Sequence, residues 1–136
     1  MDEKSFQDFL KDLAEAWNKG ETEKALGFFT LDALYMQPPG IYIFQGYDQL
    51  NVLFSSLKPG ENFSWHNIWF NSVTQSGAGE FTFRVNKAHG VAGIETDHGK
   101  IKLWREYQWQ GNLPWEKFIA VDRSFQLTSN NFDAGS

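Results

Sequence analysis

The sequence predicts an α+β domain in which three N-terminal helices cover one face of a curved antiparallel sheet and leave a conical hollow between them. Three observations carry this. Apolar residues recur at helical spacing in three stretches ahead of Pro59, and alternating segments joined by short Gly-containing connections follow. Aromatic residues make up 17% of the chain, with thirteen Phe and six Trp. Helical runs followed by strand runs segregate into an α+β arrangement. Aromatics in that number must fill a core, a pocket or an interface.

The first helix is predicted over residues 5–18, where Phe6, Phe9, Leu10, Leu13 and Trp17 share a face opposite Lys11, Asp12 and Glu15. Ser5 with Asp8 resembles a capping box, and Gly20 is a natural stop. A second, shorter helix begins at Glu21-Thr22-Glu23, buries Ala25, Leu26, Phe28 and Phe29, and breaks at Thr30-Leu31-Asp32. Ala33 to Gln37 and Ile41 to Phe44 read as edge strands around the Pro38-Pro39-Gly40 turn. The third helix starts near Gly46, with Leu50, Leu53, Phe54 and Leu57 at helical spacing, and ends at Lys58-Pro59-Gly60.

A meander follows. Strands are expected over 62–74, 80–86, 91–96 and 100–109, with a turn at Gly77-Ala78-Gly79 and a corner at His89-Gly90. The stretch Asp97 to Trp109 places Ile101, Leu103, Arg105, Tyr107 and Trp109 on one face and Lys102, Trp104, Glu106 and Gln108 on the other. Both sets mix large apolar and polar groups, which suits a pocket wall. Residues 110–136 form a C-terminal extension with anchors at Leu113-Pro114-Trp115 and Phe118-Ile119-Ala120-Val121, frayed after about residue 128.

The 136 residues fit one domain. A net charge of −5 without a basic cluster argues against nucleic acid and anionic membranes as partners. The absence of cysteine excludes disulfides, thiolate metal sites and a Cys nucleophile, and agrees with a cytoplasmic protein. The acidic start, Met-Asp-Glu-Lys-Ser, does not indicate a signal peptide. His66, His89 and His98 lack metal-site spacing, so no metal site is expected.

Trp17-Asn18-Lys19-Gly20-Glu21, the run from Phe28 to Gly40, and Gly99 to Tyr107 together resemble the SnoaL-like branch of the nuclear-transport-factor-2-like superfamily, over roughly residues 5–109. The resemblance implies the conical, cystatin-like fold, with three helices packed in a strongly curved, mixed but mostly antiparallel sheet. That fold serves isomerases, cyclases, epoxide hydrolases, dehydratases and non-catalytic binding or scaffold domains, so function rests on the site. The ketosteroid-isomerase-like pattern would put its base at Gln37 and its oxyanion-binding tyrosine near Leu13, and this chain has neither. The limonene-epoxide-hydrolase-like pattern aligns its Arg-x-Asp with Arg84-Val85-Asn86 and its later carboxylate with Glu106. Asn86 removes one of the two carboxyl groups such chemistry needs.

The site expected from the resemblance is therefore Glu106 as acid or base, Arg84 as its electrostatic partner and Asn86 at the position of the lost carboxylate. Tyr35 and His66 serve as orienting donors, and Leu13, Trp17, Gln37 and Trp104 line the cone. A small apolar or mixed-polarity molecule is the expected ligand. Two readings stay open: a cofactor-free isomerase, cyclase, lyase or hydrolase, and a non-catalytic ligand-binding or assembly domain. The aromatic surplus also predicts a homodimer paired through the sheet.

Overall fold

A computed structural model gives the chain in three dimensions and describes residues 1–60 and 62–120. Helix α1 (Glu3–Lys19) starts two residues earlier than its periodicity suggests, because Asp2 rather than Ser5 is the cap. Ser5 N–H donates to Asp2 Oδ1 at 2.7 Å and Asp2 N–H to Ser5 Oγ at 3.0 Å, closing a capping box one turn upstream of the expected one. Gly20 ends the helix in the left-handed conformation, φ +70°. A Cβ there would sit 3.1 Å from Pro59, so glycine meets both the turn and the packing.

Helix α2 (Thr22–Leu26) is shorter than expected. Phe29, read from the sequence as part of a helical stripe, is instead the first residue of β1 (Phe29–Gln37), opposite Ile101 of β6 (Lys100–Gln110). The ladder to β6 satisfies backbone groups that a helix would otherwise hold, and tertiary pairing overrides local period. Strand β2 (Tyr42–Gln45) is an edge as expected, whereas β1 is interior, antiparallel to β2 and parallel to β6. Helix α3 (Gly46–Ser55) packs between β1 and α2.

The remaining strands are β3 (Ser64–Asn71), β4 (Ser76–Phe83) and β5 (Ala88–Asp97), giving one six-stranded sheet in the order β2-β1-β6-β5-β4-β3. The expected turn at Gly77 to Gly79 and corner at His89-Gly90 lie inside β4 and β5. Their glycines serve close approach rather than chain reversal. A Cβ on Gly79 would stand 2.6 Å from the Trp65 ring, and one on Gly90 would stand 2.3 Å from the Tyr107 carbonyl oxygen and 2.8 Å from Phe81. The reversal before β4 falls at 72–75, with Gln75 at φ +52°.

Opposite Glu95 and Thr96, the register of β6 slips from Leu103 to Ile101. This bulge turns Ile101 to the same buried side as Trp104, although three positions separate them and strict alternation would oppose them. The core between helices and sheet is an aromatic cluster. Trp17 lies 5.2 Å from Phe63 and 5.5 Å from Phe54, and Trp104 lies 5.3 Å from Tyr35 and 5.6 Å from Trp65. Burying each such side chain stabilises the fold by about 1.5–3 kcal/mol before entropy is counted.

The segment after β6 carries a short helix, α4 (Trp115–Phe118), whose rings stack on His66 and His89. The expected anchor Val121 and the polar end from Thr128 to Ser136 lie outside the described residues. No helix among the described residues is long and apolar enough to cross a membrane.

Gly90→Ala is expected to destabilise the fold by about 1–3 kcal/mol, because the added methyl meets backbone that cannot yield without reopening the β5–β6 ladder. Urea unfolding followed by tryptophan fluorescence checks this. An unchanged midpoint would show that the strand bends freely at that point.

Candidate functional site

Between α1, α3 and the inner face of the sheet lies a hollow of about 500 Å³. Its walls are largely aromatic, including Trp17, Phe44, Phe63, Phe81 and Phe83. Polar groups enter mainly from two neighbouring strands: Tyr35 and Gln37 from β1, and Glu106, Gln108 and Gln110 from β6. Every second residue of β6 from Glu106 onward lines it, so one strand supplies a carboxylate and two amides in sequence.

Glu106 is 4% exposed. Its Oε1 accepts a hydrogen bond from Trp104 Nε1 at 3.1 Å and another from the Tyr35 hydroxyl, and its Oε2 accepts one from Gln108 Nε2. These donors are all neutral. A buried carboxylate normally needs a cation or several hydrogen bonds to offset lost hydration, and here hydrogen bonds fill that role. Tyr35 is itself 5% exposed and lies nearly parallel to Trp104, at 11°. Burial first, and then the adjacent Glu106 charge and hydrogen bond, push the Tyr35 hydroxyl well above its ordinary value of 10.0. Tyr35 therefore stays a donor across the working pH range, and Glu106 is the group positioned to accept.

Five of the residues expected at the site, Trp17, Tyr35, Gln37, Arg84 and Glu106, line this one hollow. Trp104 is fully buried behind the wall and acts on it through Glu106. Leu13 packs in the core and is not among the lining residues. Asn86 also lies off the lining, in the hairpin between β4 and β5, where its carbonyl accepts from Leu113 N–H at 3.3 Å.

Alternation along β4 places Arg84 opposite Phe81 and Phe83, yet Arg84 lines the hollow with them. The backbone supplies the reason. Arg84, Val85 and Asn86 take φ values of +55°, +47° and +66°, and this left-handed run re-aims the side chain so that its guanidinium carbon sits 5.1 Å from the Phe83 ring centre.

His66 is not in the cone. It borders a separate depression of about 220 Å³ together with Lys11, Asn67 and Trp69, and Trp115 stacks on it at 3.9 Å. Its Nε2 lies 2.6 Å from Thr82 Oγ1, which lies 2.9 Å from His89 Nδ1, while His89 Nε2 lies 2.5 Å from the Leu113 carbonyl oxygen. A carbonyl only accepts, so His89 Nε2 carries a proton. Thr82 Oγ1 bridges His89 Nδ1 and His66 Nε2, able to donate to one ring and accept from the other. Burial, and next the neighbouring His89, hold the His66 pKa below its usual 6.5. This chain ties the C-terminal segment to the sheet; its spacing of 16 and 7 residues carries no local pattern.

Among the described residues no three His, Asp or Glu side chains group to hold a metal ion. Gln108 and Gln110 did have a signal, since they share parity with Glu106 on β6. The Tyr35–Glu106 contact had none, because it spans 71 positions and arises from the β1–β6 pairing.

No protein-family model matches the sequence, and no curated protein matches it. Solved structures do match in fold. A nuclear-transport-factor-2-like protein of unknown function from Burkholderia xenovorans superposes with a TM-score of 0.65 at 20% identity, covering 88% of this chain and 96% of that one. A protein with a cystatin-like fold from Methylobium petroleophilum gives 0.69 at 17% identity, with 95% of both chains covered. An LEH-like epoxide hydrolase from M. tuberculosis gives 0.60 at 16% identity, covering 75% of this chain and 80% of that one. The chain has the nuclear-transport-factor-2-like, cystatin-like fold. At these identities the likeness speaks for the fold alone.

The raised Tyr35 pKa has a consequence for stability. Above about pH 10 the unfolded chain gives up a proton that the folded state retains, so this contribution is full below pH 10 and is lost as pH rises toward the folded-state value. Urea midpoints should fall more steeply between pH 9 and 11 in the wild type than in Tyr35→Phe. Parallel profiles would mean that Tyr35 ionises freely.

Proposed function

We propose that this protein binds a small, mostly apolar molecule in its aromatic cone and that Glu106 moves a proton on it, as a cofactor-free isomerase, cyclase, lyase or hydrolase. The observation that carries this reading is a buried carboxylate on the wall of a hollow, held by neutral donors and not neutralised by any of them. A carboxylate on the wall of a hollow is within reach of a molecule bound there, and concave, mainly apolar sites with a few convergent polar groups are the usual form of small-molecule sites. Tyr35 orients the acceptor, and Arg84 supplies positive charge at the exposed side of the cone.

Glu106 is the one carboxylate among the described lining residues. A push–pull between two carboxyl groups, the mode of the two-carboxylate epoxide pattern, therefore lacks its second member, with Gln37 and Asn86 standing where templates place acids. Chemistry that one base completes by taking and returning a proton fits better. The same departures support the second reading, a binding domain without turnover. The fold's occurrence in an epoxide hydrolase adds weight to the catalytic reading without choosing the reaction.

A panel of cyclic ketones, epoxides and unsaturated alcohols, followed by chromatography and mass spectrometry, separates the two. For any substrate turned over, Glu106→Gln is expected to lower kcat by about 10²–10⁴-fold in protein that still unfolds cooperatively on heating. Unchanged turnover in that variant refutes the assignment of Glu106. Retained compounds without turnover favour the binding domain.

We also infer pairing of two copies through the sheet, in a cytoplasmic setting. Trp69, Tyr107 and Trp109 are 52%, 51% and 43% exposed, a surplus of apolar surface that a monomer rarely leaves uncovered. Light scattering at micromolar concentration should give twice the 15.7 kDa chain mass. A monomer mass ends this idea.

A further inference from the structure

Three glutamines line the hollow, and two of them are already engaged. Gln108 donates to Glu106, and Gln110 Nε2 reaches Gln108 Oε1 at 3.5 Å. Gln37 stands apart. It is 6% exposed, and its backbone is fixed by the β1–β2 ladder opposite Tyr42 and by a bond from Ile41 N–H to its carbonyl at 3.0 Å. Its side-chain amide nevertheless makes no hydrogen bond among the described residues. Neither amide atom is sealed off. Among the described residues Trp17 Nε1 is the one enclosed side-chain polar atom lacking a partner, so Gln37 Oε1 and Nε2 keep accessible surface on the hollow they line. Met36 pairs with Arg105, which sets Gln37 beside Glu106 across the parallel β1–β6 ladder and on the same face as Tyr35. Buried polar groups are almost always paired, and an open amide on a cavity wall is a place for a ligand to complete the pairing.

We propose that Gln37 is the specificity-determining residue of the cone and that the ligand it selects is an apolar ring carrying a cis amide, as in a lactam. A glutamine amide presents a donor and an acceptor side by side, so both are met at once only by a group offering an acceptor and a donor in the same arrangement. A lactam does so: its carbonyl oxygen accepts from Gln37 Nε2, and its N–H donates to Gln37 Oε1. A ketone, an ether or an epoxide meets Nε2 and leaves Oε1 unpaired. A carboxylate does the same, since both of its oxygens accept. The cations on the wall that favour an anion, Arg84 and Lys87, are exposed residues of the β4–β5 hairpin, whereas the strand neighbour of Gln37 is itself a carboxylate, Glu106. Displacing water from an amide without replacing its bonds costs affinity, so the group that replaces both is preferred. The aromatic walls take the apolar remainder of the ring. This inference rests on the reading of the cone as a small-molecule site and adds the functional group that the site selects.

Three probes of one bicyclic shape test it: 3,4-dihydro-2-quinolinone, a lactam; 2-tetralone, in which a methylene replaces the N–H; and tetralin, which has neither polar group. By titration calorimetry the lactam should bind the wild type more tightly than 2-tetralone. The ratio of the two affinities should fall by about three- to tenfold in Gln37→Met, which keeps the side-chain length and removes both amide atoms. With protein labelled at the glutamine side-chain nitrogens, the lactam should move the Gln37 Nε2–H resonances downfield, beyond any change that tetralin produces. This wild-type titration decides the matter even if Gln37→Met fails to fold. A lactam bound no more tightly than 2-tetralone, an unchanged ratio in Gln37→Met, or no shift at Gln37 overturns the inference while leaving the cone as a binding site. If none of the three probes binds, the small-molecule reading falls and this inference with it.

Discussion

The burial of Trp104 is the constraint on which the rest of the structure depends. It sits fully enclosed on the strand that joins the parallel and antiparallel parts of the sheet. Its ring meets Trp17 of the first helix, Phe29 and Tyr35 of β1, and Phe63 and Trp65 on the far side of the cone. One side chain thus gathers both ends of the curved sheet and the helix it wraps. Its single polar atom donates to Glu106, so the packing that closes the core also fixes the carboxylate.

That linkage explains how the hollow tolerates a buried acid. Removing a carboxylate from water is costly, and the remedy here is a set of donors already immobilised by other contacts. Trp104 is held by the core, and Tyr35 is held by its stacking against Trp104. The entropy of ordering these donors is carried by the fold and not by the site. A hollow with a preset acceptor and mainly aromatic walls follows from the same packing that stabilises the domain.

The sheet's other polar cluster has a structural task. The His66–Thr82–His89 chain ends on the Leu113 carbonyl, while the Leu113 N–H reaches Asn86 in the hairpin whose left-handed turn aims Arg84. The segment after β6 is therefore pinned to both the sheet and the hairpin bordering the cone. Asn86, aligned with a catalytic carboxylate by resemblance, contributes backbone geometry here, and His66 contributes a stacking surface for Trp115.

Much of the fold was legible because it is local. The 3.6-residue stripe of Phe6, Leu10, Leu13 and Trp17 specifies α1, Gly20 its end, and the alternation of Trp104, Glu106 and Gln108 puts those three on one face of a strand. The tertiary structure decided what depends on distant register or left-handed backbone. The β6 bulge brought Ile101 to the side of Trp104, the parallel pairing of β1 with β6 carried Tyr35 to Glu106, and the glycines of β4 and β5 proved to be points of close approach. Periodicity reports which residues share a face, but not which face meets which partner. By itself, then, the sequence determined an aromatic α+β cone with a carboxylate on the strand that carries Trp104. Only the folded chain decided that this carboxylate is buried among neutral donors and that Arg84 joins it on the wall, because both outcomes depend on contacts between residues far apart in sequence.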